Sequence, residues 1–137
     1  PETPYRLFDM DQTHNVVALG SWEFAKGWRL GVRFQYTTGE PYTDIYASAY
    51  QGDSGTYQPI YDAKRKNTKR RPAFHRLDLR LDRKWVFRDW ILHAYVDVQN
   101  VYYHANPVET VHNYDYSEQA YFKTLPILPS VGIKGQF

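Results

Sequence analysis

The feature that most constrains the fold is a strict two-residue alternation in residues 28–37, WRLGVRFQYT. Its apolar side chains recur at every second position: Trp28, Leu30, Val32, Phe34 and Tyr36. Every residue between them is polar or glycine. Because successive side chains of a β-strand point to opposite faces, this pattern predicts a long strand with one apolar and one polar face.

Four other segments carry the same period. HRLDLRLDRKWVF (75–87) and WILHAYVDVQ (90–99) alternate clearly, and HNVVALGSWEF (14–24) alternates less regularly. LPSVGIKGQF (128–137) keeps the alternation up to a terminal phenylalanine. No segment shows the three- and four-residue spacing of an amphipathic helix. The sequence therefore predicts an all-β chain of about five long strands in an antiparallel meander.

The short connections AKG and RD predict two tight hairpins. Matching the apolar faces places Phe24 opposite Trp28, with a three-residue loop in which Gly27 is free to adopt positive φ. The same matching places Phe87 opposite Trp90 across a two-residue loop. Residues 38–72 and about 104–125 form long links rich in Tyr, Asp, Asn, Gly and Pro.

This register also pairs the polar faces of neighbouring strands. It places Glu23 opposite Arg29, Arg80 opposite Asp97, Asp78 opposite Gln99, and Asp82 opposite Tyr95. Opposite charges across an antiparallel ladder stabilise it. We interpret six polar residues as facing the inside of a barrel: Arg29, Arg33, Asp78, Arg80, Asp97 and Gln99.

Aromatic residues make up 18% of the chain, and their positions are not random. Tyrosines gather at the strand ends next to the long links: Tyr36, Tyr42, Tyr102, Tyr103, Tyr114 and Tyr116. The other aromatic set lies beside the two short turns, where we predict a periplasmic aromatic girdle: Trp22, Phe24, Trp28, Trp85, Phe87 and Trp90. Two aromatic bands around an apolar band, with short turns at one end and long loops at the other, are typical of outer-membrane β-barrels.

Five strands cannot close a membrane barrel, which needs at least about eight. We therefore expect residues 1–137 to be the C-terminal part of a transmembrane β-barrel. The remaining strands would precede Pro1 or come from a companion chain. A final strand that seals the barrel would place Phe137 in the periplasmic girdle. The alternative is a soluble β-barrel or sandwich, in which the apolar face packs a core or binds an apolar ligand.

The sequence also resembles the C-terminal barrel of TonB-dependent outer-membrane receptors. The resemblance is carried, in order, by YRLFDMDQTHNVVALGSW, LGVRFQYTTGEPYT, RRPAFHRLDLRLDRKW, LHAYVDVQNVYYHANPVE, HNYDYSEQ and LPILPSVGIKGQF. It implies location in the bacterial outer membrane and uptake of a scarce solute, driven by TonB through a plug domain. This chain holds neither plug nor TonB box, so its role would be barrel wall and outer loops. An outer-membrane adhesin or structural barrel is the alternative.

The resemblance implies two further interactions. The alternating C-terminal strand is similar to the signal that the barrel-assembly machinery recognises, carried here by Val131, Ile133 and Phe137. Lipid of the outer membrane would contact the apolar face of the strands. Arg83 interrupts that face a few residues from a turn, where its long side chain can reach the membrane interface.

A single basic block, KRKNTKRR, falls in the first long link, which we expect to be an outer loop. Its cations are Lys64, Arg65, Lys66, Lys69, Arg70 and Arg71. They would contact the phosphates of lipopolysaccharide or an anionic ligand, or form a solvated, mobile loop. The net charge of +2 and the neighbouring lipid-facing strands do not favour nucleic acid.

Nothing in the sequence indicates catalysis or a cofactor. The chain has no cysteine, which excludes disulfides and thiol nucleophiles. Its five histidines are scattered, and His93 and Asp97 would lie about 13 Å apart along one strand. Arg80 stands between Asp78 and Asp82, which favours a structural ion-pair network over an acid/base pair. We therefore expect no enzyme activity, no bound metal and no cofactor.

Overall fold

The computed structural model describes residues 7–137. These residues form eleven β-strands and one 3-10 helix, Ala63–Arg65. The strands are β1 (Asn15–Ala25), β2 (Trp28–Thr37), β3 (Pro41–Tyr42), β4 (Ile45–Gln51), β5 (Thr56–Tyr61), β6 (Lys69–Arg70), β7 (Phe74–Val86), β8 (Ile91–Gln99), β9 (Pro107–His112), β10 (Gln119–Lys123) and β11 (Leu128–Gln136). Within this described part of the chain, no helix has the length and hydropathy needed to span a membrane. Tyr5 and Arg6, which open the first of the resembling stretches, and Pro1, before which further strands are expected, lie outside the described residues.

The described residues divide into two compact units. The sheet unit comprises residues 15–37, 75–105 and 125–137, and the hairpin unit comprises residues 7–14, 38–74 and 106–124. The sheet unit is a five-stranded antiparallel sheet with the order β1-β2-β7-β8-β11. The five predicted strands and their meander order are thereby confirmed. Strands β1 and β11 are the two edges, so residues 7–137 form an open sheet and not a closed barrel.

The first hairpin confirms the predicted register except at its tip. Glu23 pairs with Arg29 as expected, but Ala25, not Phe24, pairs with Trp28. Phe24 is the extra residue of a β-bulge, and the loop has two residues. The three-residue loop was therefore wrong, because Gly27 at φ 76° permits a tighter turn and the bulge takes up the spare residue.

The second hairpin has the predicted register. Arg80 pairs with Asp97 and Asp82 with Tyr95. At the tip, the Phe87 amide donates to the Trp90 carbonyl at 2.9 Å. The regular ladder ends at the pair Leu79 and Val98, so the expected pair of Asp78 and Gln99 lies just beyond it.

Most apolar residues of the sheet unit share one face, whereas Val17, Leu19, Val86 and Ile91 lie on the opposite face by register. Facing partners along the ladders are apolar on both strands: Trp22 with Leu30, Ala18 with Phe34, Leu81 with Val96, Trp85 with Leu92, Val96 with Val131, and Ala94 with Ile133. This face remains exposed: Trp22 is 66% accessible and Ile133 is 74% accessible. Apart from Pro41, the buried residues between 7 and 137 are all polar: Asn67, Asp78, Asn100 and Asn106. The described residues therefore have no hydrophobic core.

The hairpin unit contains structure that the sequence analysis did not predict. The two long links form three two-stranded pairings, β3 with β6, β4 with β5, and β9 with β10. A signal for the β4–β5 hairpin was present in YASAYQGDSGTYQPIY, where Tyr46, Ser48 and Tyr50 alternate with alanines before a turn rich in Gly, Asp and Ser. In this segment, tyrosine and serine would lie on one face of the strand and alanine on the other. The two faces therefore differ less in polarity than the faces of the long strands do.

Candidate functional site

The predicted aromatic girdle assembles next to the two short turns of the sheet unit. At the first turn, the ring of Phe24 lies 5.7 Å from Trp22 and 6.3 Å from Trp28. At the second turn, Phe87 stacks on Trp90 at 4.4 Å with the planes 13° apart. Such stacked aromatic pairs stabilise beyond the apolar area they bury.

The proposed assembly residues lie on edge strand β11 and at its end. Val131 and Ile133 share the apolar face with Val96 and Ala94 of β8 and are 71% and 74% exposed. The ring of Phe137 stacks over Trp90 with the centroids 6.2 Å apart. The last residue of the chain therefore joins the aromatic cluster of the second turn.

Arg83 is the cation within this aromatic end of the apolar face. Its guanidinium carbon lies 4.8 Å from the centre of the Trp28 ring and 5.4 Å from that of Trp85. One guanidinium nitrogen donates to the Lys26 carbonyl at 2.7 Å. The side chain therefore lies beside the first turn, near the end of β7, where a long side chain can extend toward a membrane interface.

The polar face of the sheet carries a concavity of about 480 Å³. Five of the six residues predicted to face a lumen line it: Arg33, Asp78, Arg80, Asp97 and Gln99. The sixth, Arg29, is bonded at 2.6 Å to Glu23, the partner that the register predicted. The structure thus brings together most of the predicted polar set on a single surface.

Charges on this face are paired along strands more than across them. Arg80 donates to both carboxylate oxygens of Asp82 at 3.0–3.1 Å and lies 4.0 Å over the Tyr95 ring. Its predicted partner, Asp97, is its neighbour in the ladder, yet the guanidinium bonds Asp82 instead. Arg76 pairs with Asp78 at 3.1 Å. Asp82 and Asp78 are thus each bonded to a cation, to Arg80 and Arg76 respectively, whereas Asp97 forms no ion pair among the described residues.

Asn100 fixes the end of β8. It is 3% exposed, and it adopts a left-handed conformation with φ 56°. Its amide N–H donates to Asp78 at 3.0 Å, and its side chain exchanges two hydrogen bonds with the backbone of His104 and donates to the Pro126 carbonyl. Asparagine is among the residues that tolerate this conformation, and its amide satisfies the backbone groups of the turn.

The basic block of the hairpin unit is neutralised by carboxylates of the same unit. Five of its six cations have a carboxylate oxygen within ion-pair distance: Arg65 with Asp62, Lys66 with Asp9, Lys69 with Asp44, Arg70 with Asp11, and Arg71 with Glu40. Two of the six also form strand β6. Apart from Asp62, these acids are distant in sequence, up to 59 residues away for Asp11, so no local pattern predicts the pairs.

Asn67 anchors this basic block. It is 6% exposed with φ 59°, and its side-chain amide donates to the Leu7 carbonyl at 2.8 Å and to the Asp9 carboxylate. Its backbone amide donates to Thr43 at 3.1 Å. The Asn67 hydrogen bond, followed by the nearby Lys66 charge, lowers the pKa of Asp9. The hydrogen bond from Arg70 lowers the pKa of Asp11 in the same way.

Tyrosines join the hairpins of this unit. Tyr57 lies 5.3 Å from Tyr50 and packs edge-on against Tyr114 at 5.4 Å. The Tyr114 hydroxyl donates to the Gly55 carbonyl, and Ser48 donates to the Asp115 carbonyl. A cavity of about 790 Å³ in this unit is lined by both polar and apolar side chains, with Glu40, Tyr42, Asp44, Arg71 and His112 among the polar ones.

Sequence reasoning missed one cluster. His75 and His104 stack with their ring centres 3.6 Å apart, and His75 Nδ1 lies 2.7 Å from the Tyr102 hydroxyl. Only the return of the chain after β8 brings these residues together, and no local spacing signals it. Among residues 7–137, no group of three or more His, Asp or Glu side chains is arranged to hold a metal ion.

Comparison of the chain with protein-family models, with curated proteins and with solved structures finds no match.

Proposed function

We propose that this chain supplies part of the wall of an outer-membrane β-barrel, with the apolar face of the sheet unit in contact with lipid. The observation that carries the proposal is an aligned apolar face on strands of 9–13 residues, in a chain whose described part buries no aliphatic or aromatic side chain except that of Pro41. An exposed apolar surface of this extent marks a partner or a membrane. Tilted strands of about ten residues match the thickness of a bilayer.

The distribution of side chains on that face favours lipid over a protein partner. Tryptophans and phenylalanines occupy the end next to the short turns, and aliphatic residues occupy the middle. Amphipathic aromatic rings prefer the headgroup level of a membrane. Arg83, the cation of this face, points toward the same aromatic end.

The polar face would then line the barrel interior, where its ion pairs would meet water. The unpaired edges of β1 and β11 support a larger assembly, because open sheet edges are not tolerated in hydrocarbon. Strands from upstream sequence or a companion chain would complete the cylinder. The barrel-assembly machinery would recognise the C-terminal strand through Val131, Ile133 and Phe137.

We further propose, from the resemblance to TonB-dependent receptors, that the complete barrel takes up a scarce solute. TonB would act through a plug domain, and the hairpin unit would supply outer loops that contact lipopolysaccharide. In the paired basic block, arginine and lysine are already bonded to carboxylates, so lipopolysaccharide phosphates would have to compete with Asp11, Asp44 and Glu40.

A pair of substitutions on β2 tests the face assignment. Val32→Arg places a charge among the lipid-facing residues and is expected to cost about 2–4 kcal/mol near the bilayer midplane, which would impair insertion. Gln35→Arg places the same charge on the opposite face of the same strand and is expected to insert normally. Assembly of the complete protein into outer membranes, measured by heat-modifiable migration and protease protection, compares the two. Equal tolerance of both substitutions would contradict the proposal.

A further inference from the structure

We propose that Arg83, held between Trp28 and Trp85, is a binding site for the phosphate group of a membrane phospholipid. The inference rests on the proposed function, because it requires lipid against the apolar face of the sheet. It adds a specific polar contact to a surface whose other contacts with lipid are apolar.

The position of Arg83 in the sheet carries the first part of the argument. In the ladder it pairs with Ala94, and its same-face neighbours along β7 are Leu81 and Trp85. Within the sheet unit, its charge meets two tryptophan rings and one backbone carbonyl. Among residues 7–137, no carboxylate lies within ion-pair distance of its guanidinium.

None of the acids that the structure describes near this end of the sheet is within ion-pair distance of Arg83, including Asp89 in the second turn. Glu23, on the neighbouring hairpin, accepts two hydrogen bonds from Arg29 at 2.6 and 3.1 Å. Both of those residues belong to the opposite face by register. Arg83 is therefore a cation without a counter-charge in the part of the chain that the structure describes.

The geometry of the guanidinium carries the second part. The guanidinium carbon lies over the rings of Trp28 and Trp85, 4.8 and 5.4 Å from their centres, within the range of cation–π attraction. One N–H bonds the Lys26 carbonyl, and a guanidinium has five N–H donors in all. Because the guanidinium is planar, its donors keep a fixed fork geometry, which suits bidentate binding of phosphate.

Surrounding charge and aromatic rings identify the source of that phosphate. Lys26 lies in the first turn at the same end of the sheet and adds positive potential, whereas Asp89 offsets the charge of its neighbour Arg88 in the second turn. The tryptophans and phenylalanines of the aromatic girdle are the residues that occupy the headgroup level of a bilayer. A phosphate whose acyl chains run along the aliphatic part of the same face satisfies both features, whereas free phosphate satisfies only the first.

The test measures lipid binding to the complete assembled protein by native mass spectrometry. Two lipids with identical acyl chains are compared, phosphatidylglycerol and the phosphate-free monogalactosyldiacylglycerol. Arg83→Gln is expected to weaken phosphatidylglycerol binding about tenfold, the loss of a charge-assisted bidentate contact, and to leave the galactolipid unchanged. Arg83→Lys keeps the charge without the fork and is expected to give an intermediate loss. Arg29→Gln, at the same height on the opposite face, is the matched control and is expected to change neither lipid.

Each outcome decides between the two proposals. If Arg83→Gln binds both lipids as the unmodified protein does, the phosphate site is wrong and the lipid-facing sheet stands. If the unmodified protein retains neither lipid, the proposed function itself fails. Should Arg83→Gln not assemble, Arg83→Lys decides: a selective loss of phosphatidylglycerol supports the site, and equal binding overturns it. Inorganic phosphate that binds as tightly as phosphatidylglycerol would overturn the assignment to lipid.

Discussion

The contacts that stabilise the inside of the sheet unit differ in kind from those that stabilise the inside of the hairpin unit. Sheet strands run to 9–13 residues, and continuous backbone ladders join them. Strands of the hairpin unit have 2–7 residues, and their links depend on buried Asn67, five ion pairs and a tyrosine cluster. Neither unit has a buried apolar side chain among residues 7–137 other than Pro41. The comparison shows two ways to order a chain that has no hydrophobic core. The sheet unit uses a long regular backbone ladder, and the hairpin unit uses a dense set of specific polar contacts.

Among the changes that compare the two units, the largest effect is expected from a substitution at Gly39 in the hairpin unit. A Cβ atom there would lie 1.8 Å from the Arg71 carbonyl oxygen, and backbone cannot move aside as a side-chain tip can. Gly39→Ala should therefore separate β3 from β6 and cost about 1–3 kcal/mol, as overpacking generally does. Hydrogen exchange should rise in residues 38–45 and 65–72 and stay unchanged in β7 and β8.

Gly52→Ala is the matched control in the same unit, because nothing lies within 4 Å of the added atom. Faster hydrogen exchange in β7 and β8 of the Gly39→Ala variant would contradict the claim that the sheet unit and the hairpin unit are stabilised independently. Unchanged hydrogen exchange in the hairpin unit would show that the close approach of Gly39 to Arg71 is not needed to pair β3 with β6.

A smaller effect is expected from Asn67 and Asn100, two of the three buried asparagines among residues 7–137, which allow the units to be compared residue for residue. Asn67→Gly and Asn100→Gly both keep a residue that accepts positive φ, and both remove the side-chain hydrogen bonds. Each is expected to destabilise its own region by about 1–2 kcal/mol. Limited proteolysis should open residues 7–11 in Asn67→Gly and residues 100–105 in Asn100→Gly. Equal cleavage at both places in either variant would break the comparison.

These asparagines also mark the limit of what the sequence could predict. The five long strands, their order and most of their register followed from the two-residue period of apolar residues, since each strand carries its own signal. The contacts of Asn67 with Leu7 and of Arg70 with Asp11 join positions about 60 residues apart and leave no local pattern. The Phe24 bulge was missed for another reason. The two-residue period fixes the face on which a residue lies, but it does not fix how many residues the turn contains.

The smallest effect is expected from acid, and only in the hairpin unit. The hydrogen bonds from Asn67 and Arg70 lower the pKa of Asp9 and of Asp11 below the ordinary value of 3.8. A lowered folded-state pKa means that the stabilisation is complete above the unfolded value and is lost as the pH falls through the folded value. Exchange of residues 7–14 should therefore increase below about pH 4. Asp11→Asn should lose the Arg70 ion pair at every pH and flatten this dependence; a pH response as steep as in the unmodified protein would contradict the assignment.

The central claim is that lipid covers the apolar face of the sheet, and a label scan along β2 tests it most directly. The chain has no cysteine, so single cysteines at positions 30–35 can each carry an environment-sensitive fluorophore in the membrane-assembled protein, with any cysteine elsewhere in that protein replaced. The account predicts emission that alternates with a period of two, blue-shifted and quenched by brominated lipid at positions 30, 32 and 34, and red-shifted and quenched by aqueous iodide at 31, 33 and 35. Emission without this alternation, or quenching by lipid at the odd positions, would contradict it.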